Sequence, residues 1–457
     1  VGESDLATDA GVTKLGKQIE SDTAGPENHE LIEPEVIKPG EVSGFYVDKK
    51  LPISGLTAAE LPVSLSAYAI TLVAGLNVGW FGAILPVLTR TQHMPLEEGG
   101  VLQSAMCAGG FVALAASARI IHRLGDLKTT LLAAILTTIG FVGMGTLGGL
   151  YPLSASAFCF GLGVGLNSIS SHIIFPRYYP HKVASALSKL NTFYGVGALT
   201  GPLIALLLSN FKISYNWIFW GAGIYTACIC AFLAATAKKT GATVQANAPR
   251  GKAPDNKKIL IGLLKHPLLL GLATINFLYV GIEGTVGTWI YSFVQRAEHF
   301  DATTASTAIS LLWAGLTFGR MASTRACLKI NPKYVTMTAM LILTASIFTV
   351  ALIHAGQTLT LLVVLAIGFG LGPIFPTIIA QSATRFPKDS SITTSVIIAA
   401  GCIGGMLLPW MGGHALVNLG ATQFMLGTGA LAAILPILLA VTLFPRPRAE
   451  NLEKTPT

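Results

Sequence analysis

Residues 153–177 read LSASAFCFGLGVGLNSISSHIIFPR, and residues 358–381 read TLTLLVVLAIGFGLGPIFPTIIAQ. As a helix rising about 1.5 Å per residue, each is long enough to cross roughly 30 Å of hydrocarbon. Each is continuously apolar rather than alternating, which selects a helix over a barrel strand. The two also match one another. An offset of 207 residues lays Gly161, Gly163 and Gly165 on Gly368, Gly370 and Gly372, then Pro180 on Pro387, Gly197 on Gly404 and Pro202 on Pro409. Special residues agreeing across two apolar blocks and a loop point to a duplicated unit.

Similar blocks fill the chain beyond Leu61. Twelve spans are predicted, at about 64–88, 100–121, 129–149, 153–177, 185–209, 217–236, 267–294, 303–323, 334–354, 358–381, 391–416 and 422–444. The predicted fold is an all-α membrane protein with twelve transmembrane helices in two pseudo-symmetric six-helix bundles, 61–236 and 259–445. A basic linker at 237–258 joins them, and tails lie at 1–60 and 446–457. Composition agrees: 52% of the 457 residues are hydrophobic and 11% charged, against about 25% charged in a soluble domain. Twelve of the 22 acidic residues precede position 61, in a Glu-, Gly- and Pro-rich tail with no apolar period, predicted to be disordered. That tail has no cleavable apolar core, and the missing initial Met predicts a processed or engineered start.

Orientation follows from the cations. With the N-terminus inside, the inner connections and C-terminal tail hold twenty Lys and Arg, and the opposite side holds Arg90, Lys212 and Arg296. That bias predicts a multi-pass protein with both termini cytoplasmic, in a plasma, inner or organellar membrane. Basic loops against anionic lipid explain the net charge of +8 without a nucleic-acid partner. The six Cys imply no disulfide framework, and Cys228 and Cys230 fall on different helix faces with no His cluster, so no metal or other cofactor is expected. No paired nucleophile and base or nucleotide loop stands in a sensible context, so no enzyme is expected. Glycines four apart, such as Gly75/Gly79, Gly315/Gly319 and Gly401/Gly405, supply the close helix contacts that lipid alone does not drive.

Twelve spans in a six-plus-six arrangement, a basic link between spans two and three (Arg119-Ile-Ile-His122-Arg123-Leu-Gly125-Asp126-Leu-Lys128) and the long basic middle connection resemble the major facilitator superfamily. Three stretches are similar to the fucose-permease-like sugar:proton symporters and related glucose carriers. They are Gly161–Gly165 with Leu190–Pro202, Tyr279-Val-Gly281-Ile-Glu283-Gly284 through Trp289, and Trp313-Ala-Gly315-Leu-Thr-Phe-Gly319-Arg320. The resemblance implies a monomeric transporter whose substrate site is lined by spans one, four, seven and ten. It departs from the pattern at His122, where the superfamily has an acidic residue, leaving Asp126 as a substitute. Asn77 and Asn167 also replace the acids that fucose-type carriers have in spans one and four.

A site near the bilayer midplane between the halves draws attention to Asn77 and Trp80 in span one, Asn167, Ser171 and His172 in span four, and Asn276, Tyr279 and Glu283 in span seven. Amides and indoles suit sugar hydroxyls, although interhelical hydrogen bonding accounts for the same residues. Gln103, Asn191, Trp289, Trp313 and Gln381 are weaker candidates. Glu283 is the one Asp or Glu well inside any predicted span. A carboxylate there costs about 2.5–3.5 kcal/mol on insertion scales, which marks it for substrate binding and for coupling. Arg119, His122, Arg123, Asp126 and Arg320 are expected in gating or structural roles. Lys189 and Arg320 lie near inner span ends, from which long side chains snorkel to the interface. The expected function is secondary active transport of a small polar solute, a monosaccharide first, with a proton or sodium ion as coupling partner. The alternatives are an antiporter or exporter of organic anions or amphiphiles and a non-transporting receptor.

Overall fold

The computed structural model describes residues 60–179, 182–239, 256–353 and 356–444. The expected tails and most of the 237–258 linker lie outside the described residues, as does Pro180. The first half contains α1 (Glu60–Thr91), α2 (Gly99–Thr146), α3 (Leu150–Tyr178), α4 (Val183–Asn210) and α5 (Asn216–Lys239). A short α6 (Asn256–Leu263) precedes the second half. That half contains α7 (Pro267–Ala297), α8 (Ala302–Ala326), α9 (Pro332–Leu352), α10 (Gln357–Leu371), α11 (Ile374–Arg385), α12 (Ser390–Asn418) and α13 (Ala421–Leu443).

Ten helices among the described residues are long and apolar enough to cross a membrane. They become twelve spans because α2 crosses twice and the less apolar α8 adds one more. The reversal in α2 is at Gly125, whose φ of 76° and ψ of 174° lie outside the helical region. A positive φ of that kind is open to glycine at little cost, so Gly125 splits a continuous helical sequence into two limbs.

The span expected at 358–381 is present, with a break inside it. The block crosses as α10 followed by α11, divided at Gly372-Pro373. Pro373 has no N–H to donate into the preceding turn, which is sufficient to interrupt the ladder.

The duplication seen in the glycines is spatial as well as sequential. A Cβ on Gly161 would run into the Met106 carbonyl, and one on Gly368 into the Leu312 carbonyl. Gly163 lies against Ala133 and Thr137, and Gly370 against Ala339 and Leu343. Each pair of partners is displaced by nearly the same interval as the glycines themselves, so the same contact is made once in each half. Small residues there let helix backbones touch, which supplies packing where lipid offers no hydrophobic drive.

The ends of the bundle differ in charge. Arg123, Arg177, Lys182 and Arg325 mark the basic end, and the 91–99 and 297–302 connections mark the far end. At the basic end Asp126 is buried and accepts from Arg177 at 3.0 Å and from Tyr178 at 3.0 Å. Asp126 thus clamps the last turn of α3, while Arg119, His122 and Arg123 are exposed.

Candidate functional site

The halves meet along three seams, α1 with α7, α2 with α12 and α4 with α8. From mid-depth to the far end the α1–α7 and α2–α12 seams are tight. A Cβ on Gly82 would lie 2.7 Å from the Gly287 carbonyl, and one on Gly100 2.7 Å from Trp410 Cα. Ser104 donates its hydroxyl to the Met406 carbonyl across the same seam. Toward the basic end, Ser168 and His172 of α3 and Lys189 and Asn191 of α4 are exposed. The far end is therefore the one at which the α1–α7 and α2–α12 seams close.

Glu283 lies at mid-depth on α7 and is half-buried. Around its carboxylate gather side chains from both halves: Cys107 of α2, Tyr194 of α4, Tyr279 one turn earlier on α7 and Arg320 of α8, all within its electrostatic reach. Arg320 also faces both tyrosines. Tyr279 is close to Glu283 and Arg320, yet its buried hydroxyl closes no hydrogen bond of normal length to either. Arg320 Nε is likewise buried without a partner. So is Nε1 of Trp313, whose ring packs against Gly287, one turn beyond Glu283 on α7. Three donors in this region thus keep hydrogen-bonding capacity unspent, and a buried donor left unsatisfied costs about 1–3 kcal/mol.

Arg320 corrects an expectation. It does not snorkel to the basic end; its buried guanidinium lies within electrostatic reach of Glu283. Side chains lean toward the N-terminus of their helix, and α8 starts at the far end, so Arg320 leans inward to mid-depth. Helix α7 starts at the basic end, so Glu283 leans the opposite way, toward Arg320.

The expected amides bond neighbouring helices. Trp80 Nε1 donates to Asn77 Oδ1 at 3.3 Å, and Asn77 Nδ2 faces Met106 Sδ at 3.6 Å, so this pair ties α1 to α2. Asn167 Nδ2 donates to the Ala67 carbonyl at 3.2 Å and to Thr71 Oγ1 at 3.1 Å, joining α3 to α1. Asn276 Nδ2 donates to the Ile397 carbonyl at 2.7 Å, joining α7 to α12. His172 is exposed and bonds the Ser168 carbonyl of its own helix at 2.8 Å. Trp289 donates to the Pro409 carbonyl at 2.8 Å. Of the seven expected substrate contacts, only Tyr279 and Glu283 belong to the central cluster. Tyr194 and Cys107 went unsingled in the sequence, although Tyr194 stands inside the Leu190–Pro202 motif.

A family model described as Major Facilitator Superfamily matches residues 67–409. The chain belongs to that superfamily. It is 24% identical over 402 residues to Bypass of stop codon protein 6 of Saccharomyces cerevisiae, covering 80% of this chain and 79% of the relative. It is 23% identical over 363 residues to the glucose/mannose transporter GlcP of Bacillus subtilis, covering 77% of this chain and 87% of that protein. Among solved structures, a point mutant of the nucleoside transporter NupG has the same fold, with a TM-score of 0.69 at 10% identity, covering 84% of this chain and 100% of that one. The protein is thus a multi-pass membrane protein of a transporter superfamily.

Proposed function

We propose that this transporter carries a small polyhydroxylated solute, a monosaccharide first, and couples its movement to a proton at Glu283. The observation that carries the reading is the cluster at the seam, where one carboxylate is accompanied by the unpartnered donors of Tyr279, Arg320 and Trp313. A sugar hydroxyl accepts from such donors and gives its own proton to the carboxylate, so a polyol satisfies what the protein leaves open. Tyr194 and Cys107 come from the first half and Glu283 and Arg320 from the second, so a solute held among them bridges the parts that rock. The likeness to a glucose/mannose transporter supports the same solute class.

Coupling rests on charge. Ionised Glu283 attracts Arg320, and a proton on Glu283 ends that attraction and frees the guanidinium for another acceptor. Arg320 also favours a second reading, in which protonated Glu283 leaves a cationic pocket for an organic anion. Both termini are assigned to the cytoplasm from the charge bias.

Reconstituted vesicles decide between the readings. The expected result is uptake of labelled glucose or mannose, raised above equilibrium by an inward proton gradient. Uptake of a carboxylate that hexoses do not compete for would replace the sugar reading with the anion reading.

A further inference from the structure

A cavity of about 230 Å3 opens at the far end of the α4–α8 seam, away from the Glu283 cluster. Its walls come from both halves: Ala83 and Leu208 from the first, Tyr291, Ala302 and Ser306 from the second. Lys212, in the turn between α4 and α5, lines it too, along with Ser209 from the last turn of α4. No carboxylate lines the cavity, and none of the described residues forms a salt bridge with Lys212. Asp301, the acid adjoining its wall, is occupied in capping α8 through Thr304. Lys212 also holds a φ of 54°, in the left-handed region, which for a side chain other than Gly costs about 1–2 kcal/mol.

The surroundings fix the depth of this cavity in the bilayer. Phe211 and Trp217 flank Lys212 and are 70% and 65% exposed. Aromatic side chains exposed at the ends of spans lie at the headgroup level. Val87 and Ile213, at the cavity mouth, are exposed as well. The opening therefore combines an apolar wall, hydroxyls and a single unpaired cation at the height of lipid headgroups.

We infer that this crevice is a lipid site: an anionic phospholipid of the far leaflet sets its phosphate headgroup on Lys212 and an acyl chain against Ala83 and Leu208. Charge complementarity selects the headgroup, because a cation at the membrane surface attracts an anionic lipid by about 1 kcal/mol. The lipid touches α1 and α4 of one half and α7 and α8 of the other. Those walls converge when the far end is closed, so the lipid stabilises that state over the one in which they part. This inference is independent of the solute and of the coupling ion.

The full-length protein is placed in nanodiscs of phosphatidylcholine alone or with a minority of phosphatidylglycerol. Its unfolding midpoint is measured together with the distance between spin labels at positions 151 and 419. Phosphatidylglycerol is expected to raise the midpoint by a few degrees and to narrow the distance distribution toward the shorter, far-end-closed value. Lys212→Gln is expected to remove both effects, and Lys212→Arg to keep them. Equal behaviour in the two lipids, or an undiminished response in Lys212→Gln, overturns the site. Oleate reproducing the response in phosphatidylcholine while phosphatidylglycerol gives none overturns the phospholipid assignment.

Discussion

The Asp126 carboxylate and the Arg177 guanidinium meet at 3.0 Å at the basic end, joining the start of the second limb of α2 to the last turn of α3. Asp126 is 3% exposed and Arg177 35%, so one charge is dry and the other is partly in water. Removing the exposed partner leaves a buried carboxylate that only Tyr178 still serves. Arg177→Ala is therefore expected to destabilise the first half by about 1–2 kcal/mol, below the loss from breaking a fully buried pair. A double-mutant cycle with Asp126→Asn, read from unfolding midpoints, should show positive coupling between the two positions. Additive losses would mean that the contact does not hold α3 in place.

The glycine contacts predict a graded response. At Gly161 and at Gly368 an added methyl meets a backbone carbonyl on the neighbouring helix, and a carbonyl cannot swing aside as a side chain tip can. Gly161→Ala and Gly368→Ala should each cost about 1–3 kcal/mol through forced helix separation. Gly221 has open space where its Cβ would stand, so Gly221→Ala should be neutral or gain up to about 1 kcal/mol from helix propensity. Thermal unfolding of the three variants in one detergent is the check.

The spans, their pairing across the repeat and the position of Glu283 were legible because each depends on local pattern: block length, glycine interval, a lone charge in an apolar run. The partners of the amides were not legible. Whether Asn276 points at a solute or at the Ile397 carbonyl depends on how α7 is rotated against α12, and one sequence does not encode that rotation visibly. Arg320 stood between these cases. Its depth in the chain suggested the interface, but the direction of α8 and the N-terminal lean of helical side chains point it inward. Tyr194 comes within reach of Glu283 through the contact of α4 with α8, a relation between halves that no spacing within either half reveals.

Asp301 predicts a pH effect at the far end. It accepts from Thr304 N at 3.0 Å and from Thr304 Oγ1 at 2.6 Å, and these bonds, the side-chain one foremost, hold its carboxyl below the usual range. A depressed folded-state value contributes stability that is present above the unfolded value of about 3.9 and is lost as pH falls through the folded one. Asp301→Asn keeps an oxygen for the cap but removes the charge, so it should unfold earlier than the parent protein at pH 7. The two curves should converge as pH drops below the carboxylate range. A gap of constant size at every pH would show that the cap owes nothing to ionisation.

Glu283 and Arg320 give the sharpest test of the transport cycle, because each is the charge that the other faces at mid-depth. Glu283→Gln abolishes the proton site and leaves Arg320 without its carboxylate. Exchange of solute down its gradient should persist, while proton-driven accumulation falls to the equilibrium level and uptake loses its pH dependence. Arg320→Gln leaves Glu283 facing tyrosines and a thiol and removes the guanidinium donors offered to the solute, so solute affinity should fall. The double variant removes both charges of the cluster, which form no salt bridge among the described residues, and is expected to be better tolerated in the membrane than either single change, each of which leaves one charge at mid-depth without its counter-charge. Expression level and unfolding midpoint measure that recovery, and vesicle uptake measures coupling. Accumulation by Glu283→Gln at the parent level would remove Glu283 from the coupling step, and a double variant less stable than both singles would show that the two charges do not act as a pair.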